Sequence, residues 1–357
     1  MALPFFDSGS RKRPDQILAV DLGSRTTKAV HVQRRGESLT LCRYALLDAP
    51  IFEKTLSAEL LSEHLRVVVQ ALDAKTKLVA LAVGVNDAVV RHVEMPRMTI
   101  EDMRLVLKHN SRNYLQQDLP NHVFDCHVST PHEGNKPGEP AKVPAGQKQK
   151  TLVVGAKKQL VDDYVEGARS AGLTAESLVP GLLGPVNCFE MAVPEVFARE
   201  VVALVDIGFK CSSICILQEG ELILSRVVGI GGDRMTTALS ESMSISYAEA
   251  EGIKVGMATE VQPALDSILT PLGRDLRASI DFFEHQQDRP VPQAYITGGA
   301  SRSESILQTL RNELMIECKT WNPMTGFQVA LPPQQAAEIE QVAPQLAVAL
   351  GAALAAL

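Results

Sequence analysis

Ala19-Val20-Asp21-Leu22-Gly23, near the start of the chain, returns 185 residues later as Leu204-Val205-Asp206-Ile207-Gly208. Each copy reads as an apolar strand that ends in an Asp-x-Gly turn. Paired hydroxyls follow, Thr26-Thr27 in the first copy and Ser212-Ser213 in the second, and a second strand then closes on glutamine, Gln33 or Gln218. The glutamines also stand 185 apart. A repeat this long, used only twice, implies two lobes of similar fold rather than a solenoid.

Such a turn has a definite chemistry. Glycine lets backbone N–H groups approach an oxyanion closely, and the flanking hydroxyls add donors. On that reading Gly23, Ser24 and Thr27 in the first copy, and Gly208 and Ser212 in the second, sit against phosphate oxygens. The aspartate at the strand end supplies a carboxylate for Mg2+, often through water, because that ion keeps part of its hydration shell. Asp21 and Asp206 are therefore the candidate metal residues. A single turn of this kind would be an ordinary hairpin. Two, each opening a similar meander, point to phosphate-binding hairpins facing each other across a cleft.

Two further elements belong to the second half. A buried strand, Ala294-Tyr295-Ile296-Thr297, runs into Gly298-Gly299-Ala300-Ser301, and a helix starts over Ser301–Glu304. There the glycines would let a nucleotide lie against the backbone, with the helix N-terminus favouring anionic groups; a common tight turn is the alternative. Before it, Gly229-Ile230-Gly231-Gly232-Asp233 leads from a strand into a helix, and Glu251 and Lys254 share one face of the next helix. They are either a surface ion pair or contacts to ribose and adenine, with Gly231 and Gly232 beside them.

Outward from these motifs the chain divides into six stretches: 1–14, an arm; 15–86, the first part of lobe 1; 87–171, an inserted α+β module; 172–200, lobe 1 again; 201–320, lobe 2; and 321–357, a return to lobe 1. In the module, Thr99 is the expected N-cap of a helix reaching about Gln117, and Pro131–Lys150, rich in Pro, Gly and Lys, reads as a loop. The composition, 45% hydrophobic and 22% charged, suits a globular protein. A net charge of −7 argues against a broad nucleic-acid footprint. Six scattered cysteines without Cys-x-x-Cys spacing suit reduced thiols in a cytosolic protein. No run of about 18 consecutive apolar residues occurs, so no membrane span is expected, and Met1–Arg13 lacks the apolar region of a signal peptide. Arg11-Lys12-Arg13 reads as a solvated arm or a weak lipid contact. His122, Asp125, Cys126 and His127 lie on one strand whose alternation separates them, so zinc ligation is not expected.

Val20-Asp21-Leu22-Gly23-Ser24 with Thr27-Lys28, Val93-Glu94-Met95-Pro96, Leu119-Pro120, Val154-Gly155-Ala156-Lys157-Lys158, Ala171-Gly172-Leu173, Asp206-Ile207-Gly208, Ala250-Glu251 with Lys254, and Ile296-Thr297-Gly298-Gly299-Ala300-Ser301 resemble the PilM family of type IV pilus assembly in order and spacing. The resemblance runs from about Ile17 to Leu354. It implies an α/β, actin-like fold (ASKHA, ribonuclease H-like), two-lobed, with 87–171 as the 1C subdomain also found in the division protein FtsA. It further implies ATP and Mg2+ in the cleft, with Lys28 and Lys210 among the nucleotide-side residues, hydrolysis slow at most and no assigned catalytic residue. The implied partner is the N-terminal tail of a PilN-like inner-membrane protein, which would hold this chain peripherally at the cytoplasmic face. Pilus motor ATPases and self-association are further options. An FtsA-like division protein, a type II secretion component and a small-metabolite kinase are the alternatives within the same superfamily. The chain departs from the family pattern at Phe209-Lys210-Cys211, where small residues are expected in the second phosphate loop.

Overall fold

The computed structural model describes residues 13–52, 55–128, 148–256, 261–301 and 303–357. Most of the expected Pro131–Lys150 loop, and the Arg11-Lys12 part of the arm, lie outside these residues. The first repeat opens a meander of β1 (Gln16–Leu22), β2 (Thr26–Arg35) and β3 (Ser38–Asp48). Helix α1 (Ala58–Leu72) follows, capped by Ser57, whose hydroxyl accepts from the Leu60 amide at 3.3 Å. Its apolar residues recur at helical spacing, so Leu61, Leu65, Val68 and Leu72 are all buried against the sheet. β4 (Leu78–Val83) then lies parallel to β1.

The chain next leaves the lobe through β5 (Ala88–Pro96), α2 (Ile100–Leu115), β6 (His122–Val128) and β7 (Lys148–Lys157), a three-stranded antiparallel sheet in the order β5-β7-β6. Thr99 does cap α2: its hydroxyl accepts from the Asp102 amide at 3.2 Å and donates to the Asp102 carboxylate at 2.8 Å. Strand alternation gives this sheet two working faces. Leu152, Val154 and Ala156 turn into the lobe 1 core, while Val153, Met95 and Phe124 pack with Met103 and Leu107 of α2.

Lobe 1 resumes with α3 (Lys158–Ser170) and β8 (Thr174–Pro180), then α4 (Leu183–Ala192) and α5 (Pro194–Arg199). Helix α3, counted with the module in the sequence, packs on α1 through Val161, Tyr164 and Ala168. Lobe 2 consists of β9 (Val201–Ile207), β10 (Ser212–Gln218), β11 (Glu221–Val228), α6 (Gly232–Met243), α7 (Tyr247–Gly256), α8 (Gln262–Gln287), β12 (Gln293–Thr297), α9 (Glu304–Leu314) and β13 (Glu317–Thr320). β14 (Phe327–Val329), α10 (Pro333–Val342), a 3-10 turn (Ala343–Leu346) and α11 (Ala347–Ala356) return to lobe 1.

The internal repeat is visible strand by strand. Lobe 1 runs β3-β2-β1-β4-β8, with β14 added beside β3, and lobe 2 runs β11-β10-β9-β12-β13. Hairpin register is conserved between the copies: Leu22 pairs with Thr27 as Ile207 pairs with Ser212. Helix α9 crosses from β12 to β13, and α3 crosses to β8 in the same way, so the inserted segment proper lies between β4 and α3.

The C-terminal stretch packs on lobe 1. Pro333–Ala356 forms 24 continuous residues whose most apolar 18-residue window has a mean hydropathy of 1.4, enough to cross a bilayer by length and composition, yet 56% of that window is buried inside the fold. α11 lies on β1 and against α4 as a core helix. Two glycines make that crossing close: a Cβ on Gly351 would stand 1.9 Å from the Gly184 carbonyl oxygen, and one on Gly184 would stand 2.7 Å from the Val348 Cα. Backbone meets backbone here, so no rotamer change can relieve an added side chain. Gly351→Val is expected to cost about 3 kcal/mol or more and to lower Tm by roughly 5–10 °C; an unchanged thermal melt would show that the helices can slide apart.

Candidate functional site

The floor of the cleft is set by the ends of β1 and β9. Asp21 stands directly opposite Lys28 in the first hairpin, and the Lys28 ammonium donates to the Asp21 carboxylate at 3.1 Å. Burial alone would lower the Lys28 pKa, but the charge of Asp21, its hydrogen bond and the field of Asp206 together raise it. Asp206, at the matching position of the second hairpin, is pushed up to about 6, chiefly by burial, with Lys28 opposing and Asp21 adding to the rise. The two aspartates and Lys28 thus form one electrostatic group drawn from both lobes.

Thr27 and Ser212 do not point into the cleft. A strand alternates its side chains between faces, so the residue beside Lys28 must project to the other side. Thr27 is fully buried with its hydroxyl 2.7 Å from His64 of α1, and Ser212 is buried with its hydroxyl donating to the Ile230 carbonyl at 2.7 Å. These hydroxyls, expected on phosphates, instead tie each hairpin to its own lobe. Gly23, Ser24 and Gly208 remain at the turns, with Ser24 exposed.

Phosphate-side contacts of the second hairpin are also structural in part. The Gly232 amide donates to the Gly208 carbonyl at 3.0 Å and the Asp233 amide to the Phe209 carbonyl at 2.9 Å. Gly231 and Gly232 are buried, bringing α6 hard against this loop. Lys210 is exposed and pairs with Asp233 at 2.6 Å, while Tyr247 donates to the same carboxylate at 2.8 Å. Burial would raise the Asp233 carboxyl, but those hydrogen bonds and the charges of Lys210 and Lys254 hold it below the usual range.

Glu251 and Lys254 do meet, at 2.7 Å, and Thr236 donates to Glu251 at 2.5 Å. Burial would raise Glu251, but Lys254, Thr236 and Arg25 outweigh it and lower its pKa. Arg25 is the residue that sequence reasoning missed. From the tip of the first hairpin it spans to Glu251 of lobe 2 at 2.9 Å, and its guanidinium lies 5.2 Å from the centre of the Phe209 ring. Phe209, the bulky departure in the second loop, therefore serves as a platform for Arg25 and, at 5.4 Å, for Lys210. A basic residue inside the first Asp-x-Gly turn was the available signal.

The double-glycine turn closes the site. Gly298 has φ +94°, and a Cβ there would stand 2.4 Å from the Ile207 carbonyl and 2.5 Å from Asp206 Oδ1, so only glycine fits. Its amide and the Thr297 hydroxyl both donate to the Pro344 carbonyl, at 3.1 and 3.0 Å, tying lobe 2 to the returning C-terminal segment. The Ser301 hydroxyl is buried and donates to the Gly298 carbonyl at 2.9 Å, so it locks the turn. α9 begins at Glu304, with Ser303 as its cap. Gly299 is exposed, and a Cβ there would meet only Gln345 Cγ, at 4.0 Å.

On β6, Asp125 accepts from Arg104 at 3.0 and 2.7 Å and from the Cys126 amide at 2.8 Å. Among the described residues no three His, Cys, Asp or Glu side chains come together to hold a metal. Asp21 and Asp206, as hard oxygen donors, fit Mg2+ completed by phosphate oxygens and water.

Two repeated lobes around this cleft define an actin-like fold. A solved PilM–PilN type IV pilus biogenesis complex matches it with a TM-score of 0.82 at 23% identity, over 96% of this chain and 98% of that one. MreB 5 of Spiroplasma citri bound to AMPPNP matches at a TM-score of 0.51 and 9% identity, over 95% of each chain. The cell division protein FtsA of Bacillus subtilis is 27% identical over 190 residues, 51% of this chain and 40% of that protein, so the match spans less than half of that relative. The family described as type IV pilus assembly protein PilM matches residues 19–357, and the chain belongs to that family.

The raised carboxyl of Asp206 carries a pH consequence. Because its folded pKa lies above the ordinary 3.8, ionising it disfavours the folded state. That cost is absent below the unfolded value and grows as pH rises through about 6. Asp206→Asn, which copies the protonated form, is expected to match the parent in urea unfolding near pH 4 and to exceed it in stability at pH 7. Equal stability at both pH values would show that Asp206 ionises without penalty.

Proposed function

We propose that this protein is an ATP-binding adaptor of a type IV pilus assembly machine, held at the cytoplasmic face of the inner membrane by a partner. Membership of the PilM family across residues 19–357 is the observation that carries this reading. The cleft supports the nucleotide part. Asp21 and Asp206 would hold Mg2+, with Gly23, Ser24 and Gly208 offering backbone to the phosphates and Lys28 and Lys210 supplying positive charge. When bound, the ion would neutralise phosphate charge. Glu251, Lys254 and the open backbone at Gly299 would face the ribose and base, with Arg25 released from Glu251 as the nucleotide enters. Hydrolysis, on this reading, is slow at most.

The inserted β5-α2-β6-β7 segment supports the adaptor part. It adds none of the cleft residues, and α2 leaves Ile100 and Leu105 exposed beyond the face that it packs. A PilN-like tail docking between this segment and lobe 1 would recruit the protein to a membrane without a lipid contact of its own. Motor ATPases and further copies of the chain are additional partners on the same proposal.

Two measurements test these parts separately. Gly299→Val places a branched side chain in open space, so the variant is expected to fold with an unchanged melt and to lose MgATP binding in calorimetry. Parent-like affinity would move the nucleotide elsewhere. In a pulldown with the cytoplasmic tail of a PilN-like protein, replacing residues 88–157 by a short linker is expected to abolish capture while MgATP binding persists. Equal capture by both proteins would remove the segment from the docking site.

A further inference from the structure

Lys28 occupies an unusual place for a phosphate-side lysine. Its ammonium is folded back beneath its own turn, 3.1 Å from Asp21 Oδ2, so close to Gly23 that a Cβ there would lie 2.4 Å from Nζ. Both side chains of the pair are largely covered, 20% exposed for Lys28 and 16% for Asp21. The second carboxylate is fixed from behind, because the Gly298 backbone packs against Asp206 and leaves no room for more than hydrogen at that Cα. No third acidic or metal-ligating side chain joins the two aspartates among the described residues.

A divalent cation approaching this floor would meet two carboxylates already balanced in part by an ammonium held between strands. Like charges repel most strongly where solvent is thin, so the lysine acts against a bare ion. A polyphosphate changes both sides of the balance. It brings its own anionic oxygens to the ion, and it offers the ammonium a new partner in exchange for Asp21. We propose that Lys28 is the resident counter-cation of the Asp21–Asp206 pair, excluding divalent metal from the empty cleft and admitting it only together with a nucleotide's phosphates. This inference rests on the reading of the cleft as a MgATP site.

The test uses Mn2+ as a paramagnetic stand-in, with free ion followed by electron paramagnetic resonance as purified full-length protein is titrated with and without ATP. The parent is expected to retain Mn2+ only when ATP is present. Lys28→Met is expected to bind Mn2+ without ATP at least about tenfold more tightly than the parent. Lys28→Arg, which keeps the charge, is expected to exclude the ion as the parent does, and adding Asp206→Asn to Lys28→Met should erase the gain. Lys28→Gln carries the same comparison if the methionine variant does not fold. Equal binding of Mn2+ alone by the parent and the uncharged variants would overturn the proposal, as would an equal gain in Lys28→Arg. A parent that binds no ATP with or without the ion would overturn the nucleotide reading instead, while the arm with Mn2+ alone still judges Lys28.

Discussion

Two aspartates end two equivalent strands, and the Lys28 ammonium is paired with one of them and shares its field with the other. Much of the architecture can be understood as what keeps that charged group in place inside a protein. Asp21 and Lys28 are held opposite each other by hairpin register, while Asp206 is wedged by the backbone of Gly298. The second loop is braced by the first amides of α6, and the double-glycine turn is tied to Pro344 of the returning segment. A charge cluster left loose would draw in water and cost the lobes their packing. Here each loop around it is fastened by backbone hydrogen bonds, which hold geometry better than long side chains do.

The inserted segment shows how a fold accepts an addition without disturbing its repeat. It departs after β4 and rejoins before α3, so the crossover that lobe 1 shares with lobe 2 is intact. One face of its small sheet is absorbed into the lobe 1 core, and the other is covered by α2. The segment is thereby rigidly mounted, yet it leaves the cleft floor to the repeated elements. Rigid mounting suits the proposed adaptor role, since a partner held on a swinging arm would not sense the lobes.

Much of this was legible in the sequence, for identifiable reasons. The hairpins announced themselves by a constant offset of 185 residues, because equivalent strands of equal length need equal spacing. Thr99 and the apolar spacing of α1 marked their elements through purely local physics. Thr27 and Ser212 were read into the cleft because hydroxyl chemistry fits phosphate. A strand reverses its face at each residue, and a site list built from composition does not track that alternation. The Ser301 hydroxyl is likewise occupied, by the turn it stabilises.

The plan was written locally: two related lobes, an inserted α+β segment, carboxylates at strand ends and a double glycine before a helix. These follow from periodicity, turn chemistry and repeat spacing, all of which act over a few residues or recur along the chain. Only the tertiary structure decided which side chains meet. Arg25 reaches Glu251 across 226 positions of sequence, and Lys28 shares its field with Asp206 from the opposite lobe. Contacts of this kind depend on how two folded lobes are placed against each other, and no local preference of Arg25 or Lys28 encodes that placement.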